Sequence, residues 1–299
     1  LSSSSAASDV YKRQQQVPAR HPEIKTMIRG LFLPEEGCQW GSFDYSAQEP
    51  RWLMHFAALT PDTRDHPKVK EIVTQYQKQD LDFHQMIADL AGVERSHAKT
   101  INLGIMYGMG LGKLAAVLGD IPFEEAKALR KDYDDKVPFI RDLASAVMRA
   151  ASQKAQIRTM MGRKCRFPMR EQRSYSRLNK PIHFEKLEEQ WQEILDTPME
   201  ERPDKWGTLD PGRYRVAFTF KALNRLIQAC SADQTKVAML QCYEAGYTPM
   251  LTVHDELCFS IENEPSVKEI VDIMENCVPE MQIPSKVDYG LSENWGLAK

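Results

Sequence analysis

Near the C-terminal end of the chain, apolar residues alternate with others at Leu251 and Val253 and again at Leu257, Phe259 and Ile261. The tripeptide His254-Asp255-Glu256 separates the two runs. Period-two alternation interrupted by a short polar stretch is the pattern of a β-hairpin with one buried face. It constrains the fold strongly, because a slip of one residue would turn every apolar side chain to the wrong side. The carboxylates then fall at the hairpin tip. A second run with strand character, Cys38 to Tyr45, carries Asp44 near its end.

Between these strands the period changes. Phe83, Met86, Ile87 and Leu90 recur at helical spacing, and Ile101 and Ile105 with Leu111, Leu114 and Leu118 form another such series. The stretch from about 52 to 155 therefore reads as mostly helical, with boundaries at Gly92, at Gly108-x-Gly110-x-Gly112, and at Pro122 and Pro138. No internal repeat is present, which argues against a solenoid.

Charge separates along the chain. The total of 39 Lys+Arg against 42 Asp+Glu gives only −3 over 299 residues, which argues against a polycationic tail protein. Yet Ser145 to Lys180 holds ten Lys/Arg against the single Glu171, a local sum of +9 and a candidate phosphate-binding face. His183 to Asp204 holds eight acids and two bases and reads as a solvated helical insertion. With 42% hydrophobic and 27% charged residues, the bulk of the chain is globular. The six cysteines are scattered without a C-x-x-C pair, so neither a zinc ribbon nor a disulfide framework is signalled and a cytoplasmic, non-secreted home is expected. No segment reaches the length of a membrane-spanning helix. Residues 1–14 read as a disordered or foreign lead.

Two sets of residues carry candidate chemistry. Nucleotidyl transfer needs hard carboxylate ligands for Mg²⁺ from separate segments, leaving the metal open to substrate phosphates. Asp44 and Asp255 could supply them, although sequence alone does not bring them together, and both also suit ordinary turn acids. In the helical middle, Arg95, Lys99, Leu103 and Tyr107 recur every four residues and form a slowly drifting stripe about 18 Å long. Two cations, an apolar contact and an aromatic platform in a row suit a triphosphate, a sugar and a stacked base. An amphipathic helix with solvated basic residues would look the same.

Taken in order, Asp44-Tyr-Ser-Ala-Gln-Glu-Pro-Arg51, Arg95-x3-Lys99-x3-Leu103-Gly-x2-Tyr107-Gly and Val253-His-Asp-Glu256 resemble motifs A, B and C of family A DNA polymerases. Flanking segments agree: Gln16-Val-Pro-Ala-Arg20, Gly162-Arg163-Lys-Cys-Arg166-Phe-Pro168, Asn224-x3-Gln228 through Asp233, and Ser292-Glu-Asn-Trp295. The acidic insertion and the Ala-Gln-Glu-Pro wording are similar to phage members.

The resemblance implies an α+β right-hand fold, with an antiparallel palm sheet from 15–51 and 161–299, helical fingers from 52–160, and the thumb absent. It implies template-directed addition of deoxynucleotides to a primer 3′-hydroxyl by two Mg²⁺ ions. Asp44 and Asp255 match the metal-binding aspartates and Glu256 the neighbouring carboxylate. Arg95, Lys99 and His84 match triphosphate contacts, Glu49 the gate against a ribose 2′-hydroxyl, and Tyr107 the aromatic beside the templating base. Arg51, Asn224, Gln228 and His254 match residues along the primer-template minor groove, and Arg163 and Arg166 are candidate DNA contacts. Leu103 stands where the family shows Phe, Tyr or Leu, so discrimination against dideoxynucleotides is expected. Ala229 replaces the usual Gly. Primer-template DNA and deoxynucleoside triphosphates are the expected partners, a membrane is not, and a processivity factor is left open. Without a thumb, a catalytically silent DNA-binding fragment is the alternative. A single-subunit RNA polymerase relative is disfavoured by Glu49, and a metal-dependent phosphohydrolase by the lack of further His/Asp ligands.

Overall fold

The computed structural model describes residues 22–78, 81–91, 94–106, 109–173, 180–203 and 206–298. In chain order these form α1 (Pro22–Arg29), β1 (Gln39–Tyr45), α2 (Gln48–Leu59), α3 (Pro67–Lys78), α4 (Phe83–Ala91), α5 (Arg95–Met106), α6 (Leu111–Val117), α7 (Phe123–Lys136) and α8 (Pro138–Lys154). Then follow β2 (Gln156–Arg158), β3 (Lys164–Arg166), β4 (Met169–Gln172), β5 (Ile182–His183), α9 (Phe184–Asp196), β6 (Tyr214–Val216), α10 (Ala222–Glu244), β7 (Leu251–Val253), β8 (Glu256–Ile261), α11 (Glu264–Asn276) and β9 (Val287–Ser292). Helices and antiparallel sheets in one chain make it α+β, as the sequence implies. Its lead and the Gln16 to Arg20 segment lie outside the described residues.

The chain divides into two compact units, one of the residues up to Ala58 with Lys70–Phe83 and Cys230–Lys299, the other of Leu59–Val69 and His84–Ala229. The first is built on a four-stranded antiparallel sheet in the order β7-β8-β1-β9. The expected hairpin is β7-β8, with Val253 opposite Glu256. Strand β1 lies inside the sheet and is buried on both faces, which places Trp40 and Ser42 on one side and Phe43 and Tyr45 on the other. On the second side Phe43 meets Phe259 edge-on at 5.6 Å and stacks on Tyr289 at 5.9 Å. Burying a side chain of this size is worth about 2 kcal/mol. Tyr45 donates to the carbonyl of Met274 at 2.8 Å, tying the strand to α11. That helix is capped by Asn263, which accepts from the amide of Ser266 at 3.0 Å.

A buried polar network fixes α2 in the same unit. The Gln48 amide donates to Gln234 Oε1 at 3.2 Å, Trp52 donates to the same oxygen at 2.8 Å, and Gln234 donates to Ser285 at 2.7 Å. Because an unmatched buried amide is costly, these contacts leave little freedom in how α2 follows β1.

The second unit is mainly helical. Residues Ala98, Ile101 and Asn102 form the buried face of α5, while Arg95 and Lys99 are exposed. Pro138 occupies the first turn of α8, where a missing N–H costs nothing, and Ala155 ends that helix in the left-handed conformation. The series from Ile101 to Leu118 is two helices, α5 and α6. Beyond α8 lie the hairpin β2-β3 and a three-stranded sheet β5-β4-β6. The acidic stretch is helical over Phe184–Asp196, where α9 buries Leu187 and Ile194 and exposes its carboxylates. Among the described residues no helix is long and apolar enough to cross a membrane.

Candidate active site

Strand pairing decides which acids meet. Asp44 lies opposite Glu256 on β8 and, on its other side, opposite Asp288 on β9. Directly opposed residues in an antiparallel sheet share a face, so Asp44, Glu256 and Asp288 form a row across three strands. Asp255 occupies the turn between β7 and β8, and its carbonyl accepts from the amide of Tyr45 at 3.4 Å. Two carboxylates 211 residues apart in the chain are thereby brought to neighbouring backbone positions.

The backbone around these acids is held in an uncommon conformation. His254 has φ of 58° and Ala47 of 50°, both in the left-handed region that disfavours side chains. Such strain concentrates where function fixes a turn. Burial pushes the Asp255 carboxyl up, with Glu256 adding to the rise and His254 opposing it. A carboxylate that burial disfavours in its charged form gains by facing a cation.

The donor set fits Mg²⁺. That ion is held by one or two carboxylates plus substrate phosphates and retained waters, not by an all-protein cage. Asp44 near the end of β1 and Asp255 in the adjoining β7-β8 turn supply such a set, and among the described residues no group of three or more His/Cys/Asp/Glu forms a closed cage.

Around the acids, Glu49 lies in the first turn of α2 and is half-buried. Arg51 is buried, at 4% exposure. Its guanidinium donates to the carbonyls of Ser46 at 2.8 Å and Pro284 at 2.6 Å and lies over the Tyr76 ring, so it braces the turn after β1. His254 is exposed at the hairpin tip beside a cavity of about 350 Å³ lined also by Thr235, Lys236, Met239 and Thr252.

In the other unit, Arg95 and Lys99 lie one helical turn apart on the exposed side of α5. The helical backbone continues through Leu103, and Tyr107 lies outside the described residues. His84 is buried at the start of α4, with Nδ1 at 3.2 Å from the Asn102 amide, and Tyr133 donates to Asn102 Oδ1. Asn102 thus donates to Nδ1, which leaves the ring proton on Nε2. Burial pushes the Tyr133 phenol up, keeping it a donor. Arg163 donates to the Ala229 carbonyl on α10 at 2.7 Å, and the Arg166 carbonyl accepts from Arg225 at 3.1 Å. On α10, Asn224 is half-buried and Gln228 exposed.

Sequence reasoning missed three contributors: Asp288, the Gln48-Trp52-Gln234 network, and the Asn102-Tyr133 pair behind His84. For Asp288 the local signal is weak, because the stretch Val287-Asp-Tyr-Gly-Leu-Ser292 holds only two strand formers, Val287 and Tyr289. The other two involve partners distant in sequence, for which no local signal exists.

The model of DNA polymerase family A matches residues 12–297. The chain belongs to DNA polymerase family A. It is 36% identical to a DNA-directed DNA polymerase of Pseudomonas phage M6, over 94% of this chain and 42% of that protein. It is 27% identical to the thermostable DNA polymerase I of Thermus aquaticus, over 95% of this chain and 30% of that one. Among solved structures, the POL domain of Pol1 from M. smegmatis, in complex with DNA primer-template and dNTP, superimposes with a TM-score of 0.67 at 25% identity. It is matched over 95% of this chain and 44% of its own. The family A chain therefore spans less than half the length of these relatives.

Proposed function

We propose that this family A chain carries the catalytic centre of a template-directed DNA polymerase. The observation that carries the reading is the strand register that sets Asp44 against Glu256 and beside Asp255 at the end of the central sheet. Asp44 and Asp255 would hold two Mg²⁺ ions, which when bound activate a primer 3′-hydroxyl and neutralise charge on the leaving pyrophosphate. The new bond joins the primer oxygen to the α-phosphorus, the bond to the pyrophosphate oxygen breaks, and the hydroxyl proton passes to solvent.

The remaining roles are those that the likeness to family A motifs implies. Arg95 and Lys99 bind the triphosphate, and His84 donates to it through the Nε2 proton that Asn102 fixes. Glu49 closes the space a ribose 2′-hydroxyl would need. Tyr107 stacks beside the templating base, and Leu103 discriminates against dideoxynucleotides. Asn224, Gln228 and His254 line the primer-template minor groove, Arg51, implied there by the same likeness, braces the turn after β1, and Arg163 and Arg166 contact the DNA backbone. The substrates are primer-template DNA and deoxynucleoside triphosphates.

Primer extension with labelled primer-template tests the reading. Asp44→Asn and Asp255→Asn should each lower nucleotide incorporation at least about a hundredfold while binding of the primer-template persists. Incorporation retained in both variants would remove the carboxylates from the mechanism. DNA binding without incorporation by the unmodified chain would establish the silent DNA-binding alternative.

A further inference from the structure

A wide concavity in the helical unit plays no part in the chemistry above. It encloses about 700 Å³ within the helical unit, between α8, the three-stranded sheet and the segment leading from β6 into α10. Its walls carry Arg149, Lys180 and Arg215 against one acid, Glu171, together with the rings of Phe218 and Phe220. We propose that this pocket binds a single-stranded DNA segment, with bases stacked on the two phenylalanines and phosphates held by the three cations.

The aromatic floor is the first argument. Phe220 is 54% exposed and Phe218 half-buried, and both line the concavity. Phe218 and Phe220 lie 6.4 Å apart, and the Lys221 ammonium lies over both rings, at 5.4 and 5.6 Å. Phe218 also has φ of 61°, which a bulky residue adopts only under constraint from its surroundings. Exposed rings combined with cations form the platform on which unpaired bases stack.

Charge supplies the second. Three cations and one acid leave the lining at +2. Arg215 uses its Nε to reach Glu171 at 2.8 Å, one of five guanidinium donors, and Arg149 pairs with Asp62. Both pairs are exposed, so they contribute little to stability and yield readily to a phosphate. A small apolar ligand would want an uncharged enclosure. Duplex DNA keeps its base faces stacked inside and has none to offer the rings. A single strand offers both faces and phosphates.

The inference rests on the polymerase reading only in taking DNA as the nucleic acid, and its test needs no catalysis. Fluorescence anisotropy with an oligothymidylate of about a dozen nucleotides is measured in chelator, without nucleotide, beside a blunt duplex. Phe220→Ala should weaken oligothymidylate binding roughly tenfold. Lys180→Gln should lower the slope of log K against log salt by about 0.7. Blunt-duplex affinity should stay unchanged in both. Unaltered oligothymidylate binding in both variants, or equal losses for oligonucleotide and duplex, would overturn the proposal. In the unmodified chain, an oligonucleotide carrying 5-iododeoxyuridine should photocrosslink to the peptide containing Phe218 and Phe220, and crosslinks found only elsewhere would overturn it independently. Loss of primer extension with this binding intact would count against the polymerase reading alone.

Discussion

His55 shows how one buried ring couples stability to pH. It is fully buried, its Nδ1 accepts from the Gln282 amide at 3.1 Å, and Trp52 and Phe56 pack against it. Burial lowers its pKa from 6.5 to about 4. Between those values the unfolded chain binds a proton that the folded chain refuses, so stability rises with pH there and is lost on acidification. The loss should reach about 3 kcal/mol by pH 4. Urea unfolding across that range should give a flatter profile for His55→Gln, and identical slopes would assign the effect to other groups. Asn102 offers a second residue-scale test. Asn102→Leu removes the group that orients His84 and strands the buried Tyr133 hydroxyl, at a stability cost of about 1–3 kcal/mol. If it acts through His84, the KM for deoxynucleotides should rise, and His84→Ala added to it should raise KM no further. Additive effects would separate the two residues.

At the scale of elements, the central sheet is set by close approaches as much as by alternation. A Cβ at Gly41 would lie 2.5 Å from Ile261 Cγ1 and 2.8 Å from Phe43 Cε2, inside the β1-β8 contact. Gly41→Ala should therefore cost about 1–3 kcal/mol through overpacking, read as a lower urea midpoint with an unchanged m-value. A wild-type midpoint would mean that the sheet spreads without cost. Strand β1 and the β7-β8 hairpin were legible because the hairpin alternates and β1 is a short run carrying the aromatics Trp40, Phe43 and Tyr45 ahead of a turn. Strand β9 was not, because at an edge it exposes Asp288, Tyr289 and Leu291 in succession and shows no period. The same holds for β4, β5 and β6, which at two to four residues are too short to show one. Pairing of Asp44 with Glu256 was not legible either, since register across 212 residues is a tertiary property.

For the molecule as a whole, net charge is a poor guide to partners. The carboxylates Asp44, Asp255 and Glu256 belong to the sheet-based unit, and Arg95, Lys99 and the cations up to Lys180 belong to the helical one. The sum of −3 predicts repulsion of a polyanion, whereas the segregated +9 segment predicts attraction. Counterion release decides between them, because only cations in contact with phosphates contribute to the salt slope, at about −0.9 each on duplex DNA. Two such contacts suffice to weaken primer-template binding about tenfold between roughly 50 and 200 mM salt. Anisotropy titrations across that range should show at least this loss, and Arg166→Gln, at an exposed position on β3, should reduce the slope by about one contact. A flat salt dependence would mean that the basic segment faces no phosphate and that its charge serves solubility alone.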